Sequence, residues 1–341
     1  MLRFFAFLLA LWIILPSSSR AQDIQYSQFY AAPLYLNPSF AGSTGLARAG
    51  LNYRNQWPSI VTSFVTYSGY FDYFFEDYNS GVGLLLTSDR EGLAGLTSNS
   101  LSFQYAYQLN LTEELTFRPG LHVGAVLRDI NFDQLLFPNQ IDPTTGPDPS
   151  IPSGENIGGN VFFLDIGLGG LLYSNRLWIG GSVSHINEPN QAFQEEEPSK
   201  LPMKVSIHGG YKLPIGTRAG TTIPGISREI SLTPTFQYKF QGEFDQLDIG
   251  TYLTYEPMVF GLWYRGVPFK PLEGNPNNES LIFLVGVSTN NLNIGYSFDY
   301  TLSELGIQSG GAHEISLSYN FFLGDPRRPP KNVRKIPCPK F

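Results

Sequence analysis

Short segments in which apolar and polar residues alternate one for one run along nearly the whole chain. Leu101, Phe103, Tyr105, Tyr107, Leu109 and Leu111 interleave with Ser102, Gln104, Ala106, Gln108 and Asn110; Ile315, Leu317, Tyr319 and Phe321 interleave with Ser316, Ser318 and Asn320. A period of two places one set on each face of a strand. With the turn residues between the runs, the pattern predicts fourteen strands, near 46–56, 60–75, 80–88, 97–109, 115–129, 160–173, 176–185, 202–213, 230–241, 245–255, 258–267, 279–289, 292–301 and 312–322. In the fifth, Leu115, Phe117, Leu121, Val123, Ala125 and Leu127 share one face, and Thr116, Arg118, His122 and Arg128 the other. In the eighth, Met203, Val205, Ile207, Tyr211 and Leu213 oppose Lys204, Ser206, His208 and Lys212.

Alternation alone suits a soluble sandwich or propeller as well as a barrel in lipid. A sandwich needs only some seven to nine strands of about six residues. Here the runs reach ten or more and end in clusters such as Tyr70, Phe71, Tyr73, Phe74 and Phe75, or Phe321 and Phe322, which suit the aromatic girdles of a membrane barrel. The expectation is therefore an all-β, transmembrane outer-membrane barrel of about fourteen antiparallel strands. The even count returns both termini to the periplasm, with short turns there (110–114, 174–175, 256–257, 290–291) and longer loops outside (130–159, 186–201, 268–278, 302–311). The connection 214–229 is long for the periplasmic side, and 57–59 and 242–244 are tight for the outer one. Pro119 and Pro234 each remove a ladder hydrogen bond inside a strand, so local bulges are expected there.

Arg3, the apolar run Phe4 to Leu15 and Ser19-Arg20-Ala21 read as a secretory signal over residues 1–21. After it no stretch approaches the roughly 18 apolar residues of a spanning helix. Charged residues make up 15% of the chain, against a usual value of about 25%, aromatics 14%, and mean hydropathy is −0.10. Without Arg3 and Arg20 the chain carries 20 basic and 29 acidic residues, a net charge of about −9 that argues against a nucleic-acid partner. The single cysteine, Cys338, allows no intrachain disulfide.

Candidate chemistry is sparse. His122 and His208 fall on polar faces, His185 and His313 near strand ends, and none has the clustered spacing of a metal site. No Gly-x-Ser-x-Gly elbow occurs, and the glycine pairs at 158–159, 169–170 and 180–181 lack the spacing of a phosphate loop and read as bends and close packing. The reading is non-enzymatic, with no metal and no cofactor. Arg48, Arg54, Arg118, Arg128, Lys204, Lys239, Asp248, Asp299 and Glu314 occupy polar-face positions, as either an internal ion-pair network or a lumen that selects a solute or holds a plug. The Pro-, Gly- and Asp-rich segment 138–156 and Glu195-Glu196-Glu197 form outer loops, solvated or used for docking.

Residues 22–45 precede the first strand and are too aromatic for a free tail; they form a periplasmic segment that plugs the barrel mouth or binds a partner. Residues 46–322 form the barrel. The tail, 323–341, holds five prolines, six Lys or Arg and one acid, an extended basic periplasmic segment that is either solvated or a docking element. Candidate partner contacts in these two segments are Tyr26, Phe29, Tyr35, Asn37, Pro38, Arg327, Arg328, Lys331, Arg334 and Lys335.

The run Gln22-Asp23-Ile24-Gln25-Tyr26-Ser27-Gln28-Phe29-Tyr30, then Ala31-Ala32-Pro33-Leu34-Tyr35-Leu36-Asn37-Pro38-Ser39-Phe40-Ala41-Gly42, resembles the opening of the PorP/SprF family, outer-membrane proteins of type IX secretion and gliding motility in Bacteroidetes. The likeness continues through Tyr53-Arg54-Asn55-Gln56-Trp57, Tyr296-Ser297-Phe298-Asp299-Tyr300-Thr301-Leu302-Ser303, His313-Glu314-Ile315-Ser316-Leu317-Ser318-Tyr319 and Cys338-Pro339-Lys340-Phe341. The resemblance implies an outer-membrane component of the export and gliding machinery, embedded in outer-membrane lipid. It would bind periplasmic ring proteins of the machine, the C-terminal domain of a secreted substrate or adhesin, or both. The alternative is a passive outer-membrane channel for a small solute.

Overall fold

The computed structural model describes residues 23–339 apart from 62, 93–94, 132–134, 143–145, 149, 153–158, 195–197, 220–226, 269, 271–276, 290, 304–305 and 324–333. The leader, Glu195-Glu196-Glu197 and three of the tail candidates, Arg327, Arg328 and Lys331, lie outside the described residues.

Fourteen antiparallel strands close into one barrel. In chain order they are β1 (Ala47–Gln56), β2 (Phe64–Phe75), β3 (Ser80–Glu91), β4 (Leu96–Tyr107), β5 (Thr116–Asp129), β6 (Asn160–Tyr173), β7 (Leu177–Ser184), β8 (Lys204–Tyr211), β9 (Ser227–Gln241), β10 (Phe244–Tyr255), β11 (Met258–Gly266), β12 (Asn278–Ser288), β13 (Leu292–Thr301) and β14 (Ala312–Phe321). Each pairs with its neighbours in sequence, and β1 pairs with β14 from Ala47↔Phe321 to Gln56↔Ala312 to close the ring. Every predicted strand is present. Closure leaves no free edge in the wall.

The alternation sorts the residues as expected. Leu101, Phe103, Leu121, Val123, Leu127, Ile315, Leu317 and Tyr319 point outward and are exposed, whereas Thr116, Arg118, Arg128, Glu314 and Ser316 point into the lumen and are buried. An outward face this apolar is stable only against another apolar medium.

The prolines act differently from expectation. No bulge forms at Pro119 or Pro234, and the registers of β5 with β6 and of β9 with β10 run through them unbroken. The cost falls on the other neighbour. The β4–β5 ladder lapses between Ala106↔Gly120 and Leu109↔Phe117, opposite Pro119, and resumes in the same register. The β8–β9 ladder lapses between Gly210↔Thr235 and Leu213↔Leu232, opposite Pro234, and again resumes in register. A proline has no N–H to give to one side of a ladder, so one bond is lost and the strand opposite is interrupted while alignment survives.

The connection 214–229 is also more ordered than a loop. Leu213–Ala219 continues β8 and pairs with the start of β9, so this hairpin stands out beyond the short-turn end of the wall.

Candidate functional site

The lumen is occupied from one end to the other by residues 23–42. The segment starts at the loop end, where Asp23 meets the end of β9 and the start of β8, and descends to the short-turn end, where Ala47 begins β1. Its side chains are those of a core: Tyr26, Phe29, Leu34, Asn37, Pro38 and Phe40 are all buried, and Tyr35 is nearly so.

Near the loop end six barrel strands, β1 and β10 to β14, supply a charge cluster. Arg54 pairs with Asp299 at 2.9 Å and Glu314 at 3.2 Å, and Arg265 with Asp248 at 2.7 Å and Asp299 at 3.2 Å. Glu279 stands 3.7 Å from Arg265 as well, so two guanidinium groups face four carboxylates. The threaded segment supplies the missing donors: the backbone N–H groups of Ser27 and Gln28 donate to Glu314 at 2.7 and 3.0 Å. Ser27 Oγ donates to Asp299 and accepts from Arg54 and Arg265. Buried charge is costly unless paired, and the segment supplies donors that the wall strands lack, so the wall and the segment require each other.

Below the cluster an aromatic belt crosses the lumen. Phe29 packs edge-on against Trp263 at 4.9 Å, Trp263 against Tyr252 at 5.1 Å, and Tyr30 against Trp178, whose indole N–H donates to the Tyr30 hydroxyl at 2.9 Å.

Lower still, Asn37 and Pro38 form a tight turn. The Asn37 carboxamide oxygen accepts from Ser39 N at 2.9 Å, capping the helical turn Pro38–Phe40, and its nitrogen donates to the carbonyls of Gly170 and Gly181 in the wall. Arg118, fully buried and without a carboxylate within 4.0 Å among the described residues, donates to the carbonyls of Ser39 and Ala41 and to Gln108. Two wall glycines make room for this turn. A Cβ at Gly81 would lie 1.9 Å from Ala41 O, and one at Gly120 2.5 Å from Ser39 N.

The loop end of the segment is fixed by a row in which carboxylates alternate with imidazole and ammonium groups. His122 Nε2 meets Asp165 at 3.0 Å; His185 meets Asp165 through Nδ1 at 2.8 Å and Asp23 through Nε2 at 2.7 Å; Lys204 completes the row on Asp23 at 2.5 Å. Burial disfavours the His185 imidazolium, but the carboxylates of Asp23 and Asp165 outweigh it and raise its pKa to about 9. Burial likewise pushes the Asp23 carboxyl up, and His185 and Lys204 more than reverse this, holding it well below the usual carboxylate range.

The short-turn mouth is crossed by the tail. The Arg334 guanidinium donates to Thr116 Oγ1 at 2.9 Å and to the Glu113 carbonyl, and Ile336 is buried beside the aromatic belt. Lys335 is exposed.

Of the sequence-derived candidates, Tyr26, Phe29, Tyr35, Asn37 and Pro38 therefore come together inside the barrel, Arg334 seals its mouth, and Lys335 faces out. The charged residues singled out by alternation all face the lumen; Arg48, Arg54, Lys204, Asp248, Asp299 and Glu314 are ion-paired there, whereas Arg118, Arg128 and Lys239 make no ion pair within 4.0 Å among the described residues. Asp23, Asp72, Asp165 and Arg265 are partners that sequence reasoning missed. The inward positions of Asp72, Asp165 and Arg265 were available from the period-two pattern, but nothing in the pattern assigned their partners.

A closed, even-stranded antiparallel barrel with an apolar outer face and a polar, filled lumen is a β-barrel of the bacterial outer-membrane type. The chain belongs to the PorP/SprF family: the family model described as type IX secretion system membrane protein PorP/SprF matches residues 18–319. It is an outer-membrane component of that secretion system. No curated protein matches the sequence. Among solved structures the chain is similar to the P. putida toluene transporter TodX (11% identity, 84% of this chain and 93% of that one, TM-score 0.44). It is also similar to the monoaromatic hydrocarbon channel CymD (12%, 86% and 93%, 0.41) and to a mutant of the Rh. blastica porin (8%, 81% and 99%, 0.35).

Proposed function

We propose that this barrel is a non-enzymatic scaffold of the type IX machinery. It binds periplasmic ring proteins, the C-terminal domain of a secreted surface protein, or both, for export, anchoring or gliding. The observation that carries this reading is the occupied lumen. Residues 23–42 are hydrogen-bonded to the wall from the loop end to the short-turn end, and the aromatic belt crosses between them. A barrel filled in this way presents its loops, its projecting hairpin and its tail for contact rather than a pore. The passive-channel reading requires a clear path, and the belt stands across it.

Outer-membrane barrels turn their short connections to the periplasm. On that orientation the hairpin Leu213–Ala219 and the tail from Arg334 face the periplasmic machine, and the apolar outer face meets outer-membrane lipid. Tags inserted near 150 or 192 should then be labelled on intact cells, and a tag after Phe341 should not.

Purification from native outer membranes in mild detergent, followed by mass spectrometry, tests the role. Ring proteins or one large secreted protein should co-purify. A solitary barrel that conducts steadily in planar bilayers would reverse the reading in favour of a channel.

A further inference from the structure

The segment 23–42 does not fill the loop-end third of the lumen evenly. Between it and the wall formed by β3, β4, β5 and β6 lies a cavity of about 150 Å³, the size of an engineered cavity that accepts a six-membered ring. Its floor includes the apolar side chains of Leu34, Leu36, Leu85 and Phe163.

One wall of this chamber carries more hydrogen-bonding capacity than the protein uses. Ser98, Ser100 and Ser102 follow one another on the inward face of β4, and none of the three hydroxyls has a partner among the described residues. Ser98 lies in register between Asp89 on β3 and Arg128 on β5, so carboxylate, hydroxyl and guanidinium stand in a row across three strands. Ser100 lies opposite Thr87, whose buried hydroxyl is unpaired. Arg128 is 7% exposed; its Nη1 donates to Gln191 while its buried Nε has no partner. Next to Ser102, across the ladder, stands Gly124, which adds no side chain to the space.

Buried polar atoms are ordinarily paired, and a guanidinium nitrogen without an acceptor is costly. Facing the space are several hydroxyls, the Arg128 guanidinium and two carboxylates, Glu91 and Asp89, of which Asp89 accepts from Thr66 through one oxygen only, over an apolar floor. Two carboxylates disfavour an anion here, and the guanidinium between the strands disfavours a metal cation. Many donors and acceptors set around a ring-sized space, with hydrocarbon below, match a molecule whose rim is hydroxyl and whose face is C–H.

We infer that this chamber is a binding site for a pyranose sugar, held by Asp89, Arg128 and the Ser98-Ser100-Ser102 row. The site goes beyond the scaffold role and does not depend on it. The aromatic belt lies deeper in the lumen, so the sugar is bound there and not passed through.

The test is binding to the full-length barrel purified in lauryldimethylamine oxide, a detergent without a sugar headgroup. Glucose, galactose, mannose, rhamnose and N-acetylglucosamine are each titrated by calorimetry and by saturation-transfer NMR. At least one should bind saturably. Ser100→Leu, which fills the chamber, should abolish that binding, and Asp89→Asn should weaken it roughly ten-fold, the weight of a hydrogen bond to a charged group. Heat-modifiable gel migration confirms that each variant is folded; if Asp89→Asn fails to fold, Ser102→Val takes its place, with weakened binding expected. Absence of saturable binding by the folded wild type overturns the inference. So does binding that Ser100→Leu leaves unchanged.

Discussion

Asp23 and His185 meet at 2.7 Å although 162 residues separate them, and this contact fixes the start of the threaded segment to the loop end of the barrel. The pair is charged, and titratable or charged groups face His185 from each neighbouring element: Asp165 on β6, the imidazole of His122 on β5 beyond it, and Lys204 on β8 across Asp23.

A pH window follows. The raised pKa of His185 means that its contribution is fully present below its ordinary value of 6.5 and is lost as pH rises through about 9. Asp23 is lowered, so its contribution is present above its ordinary 3.8 and fades as pH falls below that value. Protection of residues 23–30 from protease should therefore be flat from near pH 4 to 6.5, with the His185 contribution lost as pH rises through about 9. Asp23→Asn should remove the alkaline edge. An alkaline edge that persists in Asp23→Asn would assign it to another group.

Gly120 gives a sharper test of the threaded segment than deletion does. Gly120→Val leaves β5 with an ordinary strand residue but directs its side chain at Ser39 N, which a Cβ alone would approach to 2.5 Å. The barrel should still form and the turn at 37–41 should be displaced. Single-channel recordings should show conductance steps where the wild type is silent, and silence in a folded variant counts against the tight fit described for this turn.

Arg118 holds the same turn by donation alone. Arg118→Leu leaves the carbonyls of Ser39 and Ala41 buried without donors, at about 1–3 kcal/mol each. The temperature at which the barrel loses its compact gel mobility should fall clearly, whereas Lys335→Leu, at an exposed position, should leave it unchanged.

The lipid-facing assignment predicts opposite outcomes for two substitutions at one outward position. Phe103, 54% exposed on the outer face, should cost about 2–4 kcal/mol when replaced by Arg near the bilayer centre. Phe103→Tyr should be near neutral. Unfolding in urea with lipid vesicles measures both.

The wall was largely legible in the sequence because each strand declares its faces locally. Leu101 and Ser102 need no knowledge of distant residues to be sorted outward and inward. The nominated Asn37 and Pro38 carry a local signal too, an asparagine cap followed by proline. What the lumen does with these residues was not legible, because its partners are remote: Gln28 accepts from Ser316 across 288 residues, and Arg265 reaches Asp299 on a strand that is not its neighbour. Alternation identifies an inward charge without naming its counter-charge. The same limit hid the hairpin at 213–219, where Pro214 and Gly216 break the pattern that marks a strand, and the true effect of Pro119 and Pro234, which appears in the neighbouring strands rather than in their own.

The pairing of β1 with β14 has a consequence for assembly. The seam joins the first wall strand to the last, and residues 23–42 lie inside the ring it closes. The barrel is therefore a hoop fastened by its first and last staves, with the segment that precedes the first held indoors. Wall and contents share this last strand, because Ala312–Phe321 supplies both the partner of β1 and the Glu314 carboxylate that receives Ser27 and Gln28.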